Sequence, residues 1–91
     1  MAAVEVLKIE EAGSDYIRLR DEKTDVRITF ADDEMFSKED CAAFFRSLRG
    51  KPAAIPVDGP FFIAVDMWQD RCDGSLMVIP FNFTIASVER S

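Results

Sequence analysis

From Ala3 to Phe30 the chain alternates apolar and polar residues with the two-residue period of half-buried strands. Val4, Val6, Leu7 and Ile9 give Ala3–Glu10 its β-propensity, although their alternation is imperfect. Gly13-Ser14-Asp15 marks a turn. Tyr16–Arg20 and Val26–Phe30 then alternate cleanly: Ile17 and Leu19 share one face, as do Val26, Ile28 and Phe30. A turn centred on Glu22-Lys23 sets Leu19 opposite Val26 and Ile17 opposite Ile28, so both apolar sets meet on one side of a hairpin. The other side carries Tyr16, Arg18, Arg20, Asp25, Arg27 and Thr29.

The period then lengthens. Ser37 is a natural N-cap, with Lys38-Glu39-Asp40 as the first helical turn and Asp40 placed to approximate a capping box. Phe36 and Cys41 occupy the two positions of a hydrophobic staple. Cys41, Phe44, Phe45 and Leu48 fall at i, i+3, i+4 and i+7, a single apolar stripe that predicts a helix packed on a sheet. Gly50 ends this helix and Pro52 prevents its resumption.

Pro52, Pro56 and Pro60 punctuate the next stretch, with Asp58-Gly59 as a turn, and a segment so interrupted is expected to be an edge strand at best. Phe61–Trp68 is apolar on nearly both faces and predicts a central strand. After a loop over Gln69–Ser75, Leu76–Val88 reads as one long final strand, with Pro80 marking a bulge or a free edge. A strict two-residue turn at Asp73-Gly74 would set the Asp66 carboxylate opposite Phe81 on an apolar face, which is costly. Slipping the register by one places Ile63, Val65 and Met67 on that face and turns Asp66 and Trp68 outward, which requires a longer loop. The expected architecture is a single α+β domain over residues 1–91. Its order is β-β-β-α-β-β-β, a largely antiparallel twisted sheet with one helix packed on it.

Charge narrows the range of partners. The net charge is −6; residues 1–40 hold twelve acidic against six basic residues, whereas residues 41–91 hold five of each. The densest stretch is Asp32-Asp33-Glu34, followed by Glu39-Asp40. Such a surface repels phosphate backbones and anionic head groups, so direct contact with nucleic acid or membrane is not expected, and a basic protein surface is. The longest apolar runs, about five residues, fall far short of the ~18 that a membrane span needs. No basic, apolar leader precedes Glu5. Two cysteines, Cys41 and Cys72, are too few for a disulfide scaffold and match no zinc spacing, so a reducing cytoplasm is the expected setting.

Candidate chemistry is sparse. The chain has no histidine, the commonest general base. A helix N-terminus lowers a thiol pKa, but the place of Cys41 in the apolar stripe reads more simply as core. Cys72 sits beside Arg71 with no accompanying base. Asp66, Asp70 and Asp73 lack the alternating spacing of a calcium loop. Nothing matches a glycine-rich phosphate loop, a nucleophile elbow or a paired metal-ligand motif. No catalytic residue, metal or cofactor is therefore assigned, and the expectation is a protein that is not an enzyme.

Two surfaces remain as candidate sites. Carboxylates near a helix N-terminus favour its dipole, and this accounts for Glu39 and Asp40 better than for Asp32 and Asp33, which are expected to stay solvated. The functional reading makes Asp32, Asp33, Glu34, Glu39 and Asp40 an acidic contact face that gains on-rate and specificity toward a basic partner. The second surface is apolar. One helix covers only part of a six-strand sheet, so Phe62 and Trp68 must pack within a curled sheet, against a second copy of the chain or against a partner.

From the helix onward, Asp40-Cys-Ala-Ala-Phe-Phe-Arg-Ser-Leu48, Phe61–Val65 and Asp73-Gly74-Ser75 with a terminal strand resemble the small acidic immunity proteins that accompany bacterial polymorphic toxins. The resemblance spans about half the chain and transfers no functional residue; phage-encoded inhibitors of bacterial defence are similar in size and acidity. It implies a cytoplasmic inhibitor that masks the active surface of another protein, and the charge makes a basic, nucleic-acid-handling target the expectation. The alternative is a structural homodimer or assembly subunit that uses the Trp68 sheet face.

Overall fold

The computed structural model describes residues 3–58, 61–65, 77–78 and 84–91. Its elements follow in the order β1 (Val4–Ala12), β2 (Tyr16–Arg20), β3 (Asp25–Ala31), α1 (Lys38–Arg46), β4 (Pro52–Pro56), β5 (Ala64–Val65), β6 (Met77–Val78) and β7 (Thr84–Arg90). The strands form one sheet, β6-β5-β4-β1-β2-β3-β7, and each described pair is antiparallel. This is a small α+β fold, with a single helix on the sheet among the described residues.

The first hairpin has the expected register, with Ile17 opposite Ile28 and Leu19 opposite Val26. The imperfect alternation of β1 has a structural counterpart: Leu7 and Ile9 are buried, Val4 and Val6 face outward, and a bulge interrupts the pairing between Ile9 and Glu11. Gly13, in the turn that follows, has no room for a side chain, because an added Cβ would lie 2.1 Å from the Tyr16 ring.

In α1, Ser37 is the N-cap and its Oγ accepts the Asp40 N–H at 3.1 Å. Cys41, Ala42, Phe45 and Leu48 are buried, and Phe36 and Phe44 pack against the same core. Phe45 stacks on Phe30 of β3 with ring centres 5.7 Å apart and planes within 4°. Burying each such large side chain contributes roughly 1.5–3 kcal/mol, so this pair fixes the helix to the sheet. At Gly50, φ is +90°, a left-handed conformation that turns the chain back onto β1. There the Gly50 N–H donates to the Ile9 carbonyl at 2.8 Å, and the Ile9 N–H donates to the Lys51 carbonyl at 3.0 Å.

One strand expectation is corrected. The proline-punctuated stretch is not an edge: β4 lies between β1 and β5. Pro52 and Pro56 are its first and last residues, so the missing donors fall at the ends, and the Ala53-Ala54-Ile55 interior keeps its N–H groups for pairing. The described parts of the expected final strand, Leu76–Val88, take different partners. Met77–Val78 pairs with β5 while Thr84–Arg90 pairs with β3, at opposite ends of the sheet. Pro80 lies outside the described residues. The register differs from both alternatives: Val65 stands opposite Met77, five residues from the strict two-residue turn rather than one. Ile63 and Val65 are in the core, as the slipped version expected. The Asp73-Gly74 loop, Asp66 and Met67 lie outside the described residues.

The sheet is curled. Leu7, Ile9, Ile17, Leu19, Val26, Ile28 and Ile55 line its concave side, which the helix fills. Arg90, at the end of β7, ion-pairs with Glu5 of β1 and donates to the Pro56 carbonyl of β4 at 3.1 Å. In a flat sheet β7 and β4 would stand about 19 Å apart, four strand spacings, beyond the reach of one arginine. Bulges in β1 and at the β3–β7 pairing add the bend that closure requires.

Candidate functional site

The acidic segment leaves β3 at Ala31 and enters α1 at Lys38. Asp32 is exposed, and its Oδ1 accepts the Lys38 N–H at 3.0 Å. With Ser37 Oγ on the Asp40 N–H, two of the helix's free N-terminal donors are satisfied by side chains. Asp33 is only half-exposed. Its Oδ1 accepts the Met35 N–H at 3.0 Å, its Oδ2 accepts the Thr84 hydroxyl at 2.9 Å, and its own N–H donates to the Phe36 carbonyl at 2.8 Å. The Met35 N–H first, and the Thr84 hydroxyl second, hold the Asp33 carboxyl below the ordinary carboxylate range. Glu34, Glu39 and Asp40 are exposed.

The five carboxylates therefore occupy one loop and one helical turn, but in two kinds of position. Asp32 and Asp33 hold the loop as well as carrying charge; Asp32 is exposed as expected, whereas Asp33 is half-exposed, which corrects the expectation that it stays solvated. The sequence held a sign of this: an Asp two residues before a backbone N–H that it can bind is the spacing of an Asx turn. No pattern in the sequence singles out Met35. It is 79% exposed, and it lines a cleft of about 280 Å³ with Asp33, Glu34 and Phe36.

Of the two apolar candidates, Phe62 is half-buried and Trp68 lies outside the described residues. Outward-facing apolar residues occur instead on β1 and just after β4, where Val4, Val6 and Val57 are exposed and Val57 N–H donates to the Ala3 carbonyl at 3.0 Å. The other half of the convex face is polar. Arg18 forms a bidentate pair with Asp25, Nε–Oδ1 3.0 Å and Nη2–Oδ2 2.6 Å, and approaches Glu11 at 3.6 Å. Arg27 lies over the Tyr16 ring at 4.0 Å. Arg18, Asp25, Arg27, Glu89, Arg90 and Ser91 line a shallow cleft of about 310 Å³ there.

Cys41 is buried in the core. Burial, and after it the negative charge of Asp33 and Asp40, pushes its thiol above the ordinary value, opposite to what a nucleophile needs. Cys72, Asp66, Asp70 and Asp73 lie outside the described residues. Among the described residues no group of three or more potential metal ligands converges, and no helix is long and apolar enough to cross a membrane.

The chain matches no family model, no curated protein and no solved structure. Its class is accordingly set by its own geometry: a small α+β domain in which α1 sits inside a curled antiparallel sheet and follows an acidic loop.

Proposed function

We propose that this chain is a non-enzymatic protein-binding domain that occludes a basic, nucleic-acid-handling protein in the cytoplasm, as immunity proteins and phage anti-defence proteins do. The reading is supported above all by the acidic segment: Glu34, Glu39 and Asp40 are exposed, on a loop and helix start anchored by Asp32, Asp33 and Ser37. A field of one sign on a rigid support speeds encounter with a partner of opposite sign and disfavours wrong partners. Occlusion is electrostatic and steric, so it requires neither metal nor cofactor. The test is to co-express the chain with each basic protein encoded beside its gene, purify the complex and measure the partner's nucleic-acid binding. A true target loses that binding in the complex; a set of neighbours none of which forms a complex contradicts the proposal.

A second reading, self-association as a homodimer or assembly subunit, draws on the exposed valines Val4, Val6 and Val57 on the convex face. The Trp68 face expected for that reading lies outside the described residues.

A further inference from the structure

We infer that Met35 is the apolar anchor of the acidic surface, and that the segment it receives is cationic, with an apolar side chain set between lysines or arginines. The inference rests on the proposed protein-binding function and names the chemistry of the partner. Met35 is 79% exposed, whereas the other exposed large hydrophobics among the described residues lie between 37% and 56%. Phe36, beside it, turns inward onto the core, so the two side chains form the apolar part of a cleft of about 280 Å³ whose remaining lining is Asp33 and Glu34.

The occupant follows from charge. Around Met35 the chain runs Asp32-Asp33-Glu34 on one side and Glu39-Asp40 on the other, with Lys38 the one cation among them. A phosphate backbone or an anionic membrane would be repelled, and a neutral apolar segment would leave these carboxylates desolvated without partners. A cationic segment with one apolar side chain satisfies both parts of the surface. Methionine suits this role because its unbranched, polarisable side chain adapts to the shape that arrives. The loop is already held by the Asp33 and Asp32 hydrogen bonds, so little ordering remains to oppose binding. Ion pairs at the rim then set the rate of encounter, and the buried methionine sets residence time.

Two synthetic peptides of equal positive charge test this, one with leucines between its lysines and one with serine at each leucine position. Affinity is read by anisotropy at low salt, and the Met35 methyl resonance reports the contact directly. The leucine peptide is expected to bind about tenfold more tightly and to shift the Met35 methyl signal. Met35→Ser should remove that margin without changing the affinity of the serine peptide, and Glu34→Gln with Glu39→Gln should weaken both. Equal affinity of the two peptides, or a leucine margin that survives Met35→Ser, overturns the anchor and leaves the acidic binding face standing. Failure of both peptides to bind overturns the anchor and the acidic face together.

Discussion

The Thr84 hydroxyl donates to Asp33 Oδ2 at 2.9 Å, tying the acidic loop to the first residue of β7 across 51 positions of sequence. The other Asp33 oxygen holds the Met35 N–H, so one carboxylate both shapes the loop and fastens it to the sheet. Glu34, next to it, is exposed and carries charge at the rim. Asp33→Ala should therefore lower the melting temperature and speed hydrogen exchange at the Met35 amide, while Glu34→Gln leaves both unchanged. Equal behaviour of the two variants in a thermal melt with exchange would show that the loop does not depend on Asp33.

Acid should expose the same carboxylates. Asp25 is held below the ordinary carboxylate range, first by its hydrogen bonds from Arg18, and Asp33 by the Met35 N–H and then the Thr84 hydroxyl. A carboxyl whose folded pKa is depressed adds stability that is fully present above its unfolded pKa, about 3.9, and is lost as pH falls through the folded value. Stability should accordingly drop below about pH 4, and more shallowly in Asp25→Asn and Asp33→Asn, with each variant converging on the wild type at the acid end. Denaturant titrations across that range give the slopes directly. A variant that stays parallel to the wild type through the acid limb removes that carboxylate from the linkage.

Cys41 separates core from chemistry. With its thiol pushed up by burial, native protein lacking Cys72 (Cys72→Ser) should react slowly with thiol reagents at pH 8, and fast only when unfolded. Cys41→Ala should fold with a modest loss of stability, and Cys41→Asp should not fold, because a carboxylate would enter a core closed by Phe45 and Leu48. Rapid native labelling would contradict the core assignment.

Much of this fold is legible in the sequence because local rules and tertiary packing agree there. Ile17/Leu19 and Val26/Ile28/Phe30 specify a register that a one-residue slip would turn inside out, and Ser37 with the Cys41–Leu48 stripe specifies the helix and its buried side. What could not be read depends on non-local partners. Proline frequency argues against an interior strand, but only the pairing of Pro52 with Lys8 and Pro56 with Val4 shows that both prolines fall at strand ends. Leu76–Val88 is continuous in pattern, yet its two ends find partners at opposite sides of the sheet. At the acidic face, composition gave the charge, and the Met35 and Thr84 contacts distinguish Asp33, which builds the surface, from Glu34, which displays it.

Curling of the sheet also bears on self-association. The Arg90 pair with Glu5 and its bond to Pro56 close the concave side without a second chain. Arg90→Ala should cost about 1 kcal/mol, the upper end for a partly exposed pair, and should leave the mass in solution unchanged. Light scattering of wild type and Val6→Lys at low and high micromolar concentration addresses the convex valines separately. A dimer that dissociates on dilution and is abolished by Val6→Lys would favour the homodimer reading.

Binding of a basic protein by exposed carboxylates on an anchored loop is the core of the proposed function. Its most direct test is the affinity of the purified partner as a function of salt, for the wild type and for the combined Glu34→Gln, Glu39→Gln, Asp40→Asn variant. These side chains are exposed, so the variant should fold as the wild type does. Between roughly 50 and 500 mM salt, where screening shortens from about 14 to about 4 Å, wild-type affinity should fall steeply and the variant should bind weakly with a flatter slope. Equal affinity and equal slope for the two proteins would rule out the acidic segment as the binding face.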